Sequence, residues 1–179
     1  PEIEAADTMP PPTGGGMVSA ASISGAPGAA VQVPITLSLS GATADTLSFS
    51  FTIVPGGSGL PMTTTLSFTP GAGLPTPGTL NNSTPSLISV AWLSPQLSPA
   101  LSGSVALGNV LFTIPTAGVA AGQTYTLRIT GSSATSSGSS LNMTPGPDAT
   151  LTISGVADVE PMSRSAQAEL DIPADELTY

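Results

Sequence analysis

A chain of 179 residues with two arginines and no lysine, histidine or cysteine lacks the side chains for imidazole or thiol catalysis, Schiff bases, the usual zinc sites and disulfides. Its formal net charge of −9 has the wrong sign for nucleic acid, whose binding rests on phosphate neutralisation by Lys and Arg. The length allows one domain with extensions, and charged residues are only 7% of the chain, against about 25% in an ordinary domain.

The few charges gather near the ends. Glu2, Glu4 and Asp7 stand at the start, and Asp158, Glu160, Arg164, Glu169, Asp171, Asp175 and Glu176 at the finish. Between Met17 and Gly155 only Asp45, Arg128 and Asp148 are charged. Ser, Thr, Gly and Pro therefore cover a nearly neutral body. Such a skin fits a secreted domain, and it also fits a surface that packs against copies of itself or carries O-glycans. No apolar run is long enough to cross a bilayer, and the chain opens at Pro1 with no signal peptide. These features read as a processed, exported protein of extracellular or cell-surface location.

Residues 1–16 have the composition of a linker. Pro10-Pro11-Pro12 favours an extended stretch and Gly14-Gly15-Gly16 a flexible one. Ile3 and Ala5 alternate with Glu2 and Glu4, as in a short arm that could join a sheet edge. Met17–Ile23 is expected as the first strand and Ser24–Gly28 as a turn. In Ala30–Leu39, Val31, Val33, Ile35, Leu37 and Leu39 share one side. Pro34 lacks an N–H, which places it at an edge or bulge. Gly41–Thr46 is expected as a turn.

Leu47–Val54 shows the pattern most clearly. Leu47, Phe49, Phe51 and Ile53 face one way and Ser48, Ser50 and Thr52 the other, because successive side chains of a strand point to opposite faces. Half of the four phenylalanines sit here, and each buried large apolar side chain contributes roughly 1.5–3 kcal/mol. This is expected to be a central strand.

Thr63–Thr69 is expected as a strand and Leu74–Pro85 as a long loop. Ser86–Leu93 is a strand with Ile88, Val90 and Trp92 on one side; the sole tryptophan reads as core, or otherwise as a sugar-stacking platform. Ser94–Ser104 is expected as a loop, and Val105–Ile114 as one long bent strand or a pair. Thr124–Thr130 alternates Tyr125, Leu127 and Ile129 with threonines and Arg128. Gly131–Ser140 is low-complexity Ser/Gly and reads as a mobile loop. Asn142–Pro147 reads as a turn region, and Ala149–Ile153 as the last strand. Eight or nine strands between turn residues, with no convincing helix, make an all-β sandwich.

Several of these pieces, in this order, resemble a cohesin-type domain. They are Gly25-Ala26-Pro27-Gly28 with Val31–Leu37, Leu47–Ile53, Ser67-Phe68-Thr69-Pro70-Gly71, Ser89-Val90-Ala91-Trp92, Leu101-Ser102-Gly103, and Val110–Ile114 followed by Ala121–Tyr125. The resemblance covers roughly residues 17–155 and is shared in outline with jelly-roll carbohydrate-binding modules. The chain departs from cohesins at Val54-Pro55, where they often carry Tyr-Asp-Pro, and in its scarcity of charge. The resemblance implies a nine-stranded jelly-roll β-sandwich that binds another protein, as cohesins bind dockerins. The expected division is an arm at 1–16, the sandwich at 17–155 and an acidic tail at 156–179.

In the tail, Ala168, Leu170 and Ile172 alternate with Gln167, Glu169 and Asp171 before Pro173. An isolated strand cannot bury its own face, but it could add to the edge of a neighbour. Head-to-tail repetition would then build a filament from copies of the chain. The leading expectation is accordingly an extracellular assembly subunit with Ala168, Leu170, Ile172, Ile3 and Ala5 as donor-strand candidates. The alternative is a monomeric module that binds a dockerin-like protein or a carbohydrate. One Trp and two Tyr are too few for the aromatic row that carbohydrate binding usually needs.

No catalytic residues and no cofactor are expected. Asp45 and Asp148 are the only carboxylates of the body and both fall in turn sequence, which sets aside glycoside hydrolysis. Calcium held by these aspartates and loop carbonyls stays open. Asn81-Asn82-Ser83 and Asn142-Met143-Thr144 match the N-glycosylation acceptor pattern.

Overall fold

The computed structural model describes residues 14–155, apart from 58 and 95. Within them run twelve strands: β1 (Gly15–Ala20), β2 (Ile23–Gly25), β3 (Ala30–Ala44), β4 (Thr46–Pro55), β5 (Ser67–Pro70), β6 (Thr79–Asn81), β7 (Leu87–Trp92), β8 (Leu101–Thr113), β9 (Thr124–Ser136), β10 (Ser139–Ser140), β11 (Asn142–Pro145) and β12 (Ala149–Ile153). One sheet has the order β11-β1-β3-β8-β5, and the other β2-β12-β9-β4-β7-β6 with β10 hydrogen-bonded to β9. Pairing is antiparallel except for β1 with β11 and β2 with β12. No helix among the described residues is long and apolar enough to cross a membrane.

The core is made by the apolar sides of the two sheets. From β4 come Leu47, Phe49, Phe51 and Ile53, all buried, and from β3 come Val33, Ile35 and Leu37. β4 lies between β7 and β9, the central position its alternation predicts. Trp92 is fully buried and belongs to the core, so it is no sugar platform. Its ring lies 5.7 Å from Phe68 and 6.5 Å from Phe49. Its Nε1–H donates to the Pro75 carbonyl at 2.8 Å.

Pro34 meets both conditions expected of it. β1 ends at Ala20, opposite Ile35, and the Ala21 N–H bonds the Pro34 carbonyl at 3.0 Å. The N and C=O of one strand residue point the same way, so the missing N–H faces the spot where β1 leaves. One residue on, the β3–β8 ladder bulges at Leu107.

Several stretches differ from expectation. Met17–Ile23 is two strands, β1 and β2, in different sheets, because the chain crosses the edge at Ala21 and Ser22. β1 starts at Gly15, inside the stretch read as linker; Gly15 and Gly16 are paired on both sides, with Ser40 and Leu39 and with Asn142 and Met143. β3 continues to Ala44, so the turn narrows to Asp45. Of the expected Thr63–Thr69 strand only Ser67–Thr69 pairs, as part of β5, and the long loop contains β6. β8 begins at Leu101, within the expected loop, and is one long strand. Asn142–Pro145 is a strand rather than a turn.

The largest difference is Gly131–Ser140, read as mobile. β9 runs through it to Ser136 and β10 folds back on it. The β4–β9 register skips Thr130, since Ser50 pairs with Gly131 and Phe51 with Ile129. Beyond the bulge the inward positions are Ser132 and Ala134, opposite Phe49 and Leu47. Small residues fit beneath the large ones of β4, so a buried strand carries no apolar alternation.

Candidate protein-interaction face

The outward side of β6-β7-β4-β9 is the feature the fold builds most deliberately from hydroxyls. Ser48 Oγ lies 2.8 Å from Ser133 Oγ, Ser50 Oγ 2.8 Å from Ser89 Oγ, and Thr46 Oγ1 2.8 Å from Thr135 Oγ1. Thr52 Oγ1 donates to the Ser86 carbonyl at 3.0 Å. Each β4 hydroxyl thus finds its partner sideways, on β9, on β7 or just before β7. Ser48, Ser50, Thr79, Ser89, Ala91, Gly131 and Ser133 line a shallow trough of about 310 Å³ over the centre. The small residues keep the face flat. Exposed Leu93, just after β7, supplies apolar contact at its border, whereas Leu80 of β6 pairs with buried Val90 and shares its inward side.

Two charged devices stand at opposite ends. At one, the Asp45 carboxylate accepts from Thr135 Oγ1 at 2.7 Å and from the Ser137 N–H at 2.6 Å. The Thr135 hydrogen bond above all holds its carboxyl below the usual aspartate value of 3.8. At the other, Arg128 Nε reaches both Asp148 oxygens at 2.9 and 3.1 Å, and Nη2 reaches Oδ2 at 2.6 Å. That hydrogen-bonded pairing lowers Asp148 and raises Arg128. Both side chains are about half exposed, where ion pairs contribute little to stability.

The stability consequence has a definite sign. Both folded aspartates titrate below 3.8, so the stability they confer is full above the unfolded value and is lost as pH falls through the folded ones. The urea midpoint of the wild type is therefore expected to drop between about pH 6 and about pH 2.5. Asp45→Asn should drop less and converge with wild type at the acid end. An undiminished drop in Asp45→Asn would assign the effect elsewhere.

The structure does not bring Asp45 and Asp148 together. Their partners Thr135 and Arg128 are seven residues apart on β9, about 23 Å at ~3.3 Å per residue. Carboxylate-pair hydrolysis needs about 5–9.5 Å, and a shared calcium ion needs less. The joint calcium site left open by the sequence is thus corrected: each carboxylate is already engaged by its own partner. No cluster of three or more acidic, His or Cys side chains occurs among the described residues.

Asn81 is exposed on β6, and Asn142 is exposed on β11. The donor-strand candidates Ile3, Ala5, Ala168, Leu170 and Ile172 lie outside the described residues. Sequence reasoning missed Ser86. It is buried at φ +58, donates its hydroxyl to the Met62 carbonyl, and accepts from the Ile53 N–H at 2.9 Å. Its place directly after Pro85 read only as the start of a strand.

No protein-family profile matches the sequence. No curated protein matches it either. Solved structures do. The sixth cohesin of scaffoldin B from Acetivibrio cellulolyticus, solved in complex with a Cel5 dockerin, is 20% identical with a TM-score of 0.58, over 78% of this chain and 99% of that one. The seventh ScaB type I cohesin from Pseudobacteroides cellulosolvens is 15% identical, TM-score 0.60, over 82% and 96%. The OlpC cohesin from Clostridium thermocellum, solved in complex with a dockerin, is 11% identical, TM-score 0.60, over 87% and 99%. The chain has the cohesin-type jelly-roll fold.

Proposed function

We propose that the chain is a non-enzymatic, extracellular protein-binding module that docks a dockerin-like partner on the outward side of β6-β7-β4-β9. The observation that carries this reading is the lateral pairing of the hydroxyls. Covering a polar group costs free energy when it strands a donor or acceptor. Here Thr46 and Thr52 already hold partners and Ser48 and Ser50 share one hydrogen bond each with Ser133 and Ser89, so a protein that covers the face need accept only one remaining hydroxyl proton from each serine pair. Exposed Leu93 adds the apolar contact that docking surfaces use. Cohesins of the same fold are solved with dockerins bound.

Binding of recombinant dockerin modules from those complexes, measured by calorimetry, tests the reading. At least one should bind, and Ser50→Arg should weaken it by about ten-fold or more by setting a guanidinium in the trough. Gln32→Arg, on the exposed side of the other sheet, should leave affinity unchanged. Binding by none of the modules, or loss with Gln32→Arg alone, would overturn it.

A second reading is supported by one edge. β5 pairs with β8 only from Gly108 to Leu111. The side of Leu101–Val105 away from β3 has no strand beside it among the described residues. Such an edge accepts an added strand, and the segment carrying Ala168, Leu170 and Ile172 would be the donor from a neighbouring copy. Deleting residues 165–179 separates the two. A filament subunit loses assembly by negative-stain microscopy, whereas a dockerin-binding module keeps its affinity.

A further inference from the structure

We infer that Asn81 is an N-glycan acceptor and that Asn142, which matches the same pattern, is not. The two sites differ in geometry. At Asn81 the side-chain Oδ1 accepts from the Ser83 N–H at 3.1 Å and from the Ser83 hydroxyl at 2.8 Å, closing an Asx turn. Nδ2 makes no hydrogen bond among the described residues. The residue is exposed on β6, which ends its sheet. The neighbouring Asn82 pins the loop by donating Nδ2–H to the Leu66 carbonyl at 2.8 Å, so the turn is held in place.

At Asn142 the hydroxyl of the pattern is used elsewhere. Thr144 Oγ1 donates to the Gly16 carbonyl at 3.4 Å. β11 is locked beside β1, with Asn142 opposite Gly15. Held extended in β11 and paired with β1, the segment does not close the same turn.

The chemistry explains why the turn matters. In transfer from a lipid-linked glycosyl diphosphate, Nδ2 attacks the anomeric carbon of the donor. The C1–N bond forms, the C1–O bond to the diphosphate breaks with its electron pair leaving on oxygen, and the Nδ2 proton passes to a base of the transferase. An amide nitrogen is a poor nucleophile until negative charge gathers on Oδ1 in the imidate form. Two donors already aimed at Oδ1 stabilise that charge as it develops. Asn81 pairs in register with Ser89, so an attached sugar stands at the β6 rim of the hydroxyl face.

The test treats the purified, folded chain with an oligosaccharyl transferase and a lipid-linked oligosaccharide, followed by glycopeptide mapping. The expected result is about ten-fold or more higher occupancy at Asn81 than at Asn142. Asn81→Gln should abolish nearly all added mass, and Asn142→Gln should leave it. Ser83→Thr, which keeps both donors, should stay modified. The unfolded chain should lose the preference between sites. Occupancy at Asn142 alone, equal occupancy in the folded chain, or no transfer while a control acceptor peptide is modified would overturn the assignment.

Discussion

Trp92→Ala is expected to lower the unfolding free energy by about 3–5 kcal/mol, the range for truncating a buried large aromatic. Three features place it in the upper part of that range. The ring is fully buried. It packs edge-on to Phe68 of β5 at 78° and tilted on Phe49 of β4 at 36°, so it bridges the two sheets, and each aromatic pair adds about 0.5–1.5 kcal/mol beyond burial. Its removal also leaves the Pro75 carbonyl without the indole donor, a loss of about 1 kcal/mol. With total stabilities of about 5–15 kcal/mol in domains of this size, the variant would sit close to its limit. Trp92→Phe keeps a ring, loses the donor, and should cost less than half as much. Urea unfolding followed by far-UV circular dichroism measures both, since the variants carry no tryptophan fluorescence. A loss under about 1 kcal/mol for Trp92→Ala would remove the ring cluster as the clasp between the sheets.

How far the chain could be read beforehand follows from where two-residue periodicity survives. β4 keeps one inward side along its pairing and β3 does so up to Leu39, before its register shifts and Ala44 turns inward, and Leu47–Ile53 and Val31–Leu39 showed it openly. β9 changes inward parity at Thr130, and β8 at Leu107, so no single alternation spans either strand. In β9 the second half turns Ser132 and Ala134 inward, and small polar residues in a buried row look like a linker. Crossing of the chain from β1 to β2 is likewise silent, because Ala21 and Ser22 carry no turn signature. The same cause hid half of the hydroxyl face. Ser48, Ser50 and Thr52 were legible as one side of a strand, but their partners Ser133 and Ser89 are settled by register across 85 and 39 residues. The even spacing of Ser133 and Thr135 around Ala134 was the available signal.

Gly108→Ala should cost about 3 kcal/mol or more, through two effects that can be separated. The residue has φ +136, a backbone region that L side chains rarely adopt and that alone costs about 1–3 kcal/mol. A Cβ there would also overlap the Thr69 carbonyl oxygen and crowd Gly71 N and Pro70 Cα, both at 2.9 Å. All three are backbone atoms of β5 and its exit, so none can rotate aside. The backbone form at Gly108 and the Leu107 bulge together turn both Leu107 and Val110 into the core. The sheet must therefore either give up β5 or move β8. Gly73→Ala is the control for the first effect: φ is +83 there and nothing lies within 4 Å of the built Cβ, so strain without overlap should cost about 1 kcal/mol. Hydrogen exchange locates the second effect. In Gly108→Ala the amides of β5 that pair with β8 should exchange faster than those of β4, because the overlap falls on the β5–β8 ladder while the β4 pairs lie in the other sheet. Equal losses for Gly108→Ala and Gly73→Ala would mean that β5 retreats freely, and the tight approach of its backbone to β8 would then hold nothing together.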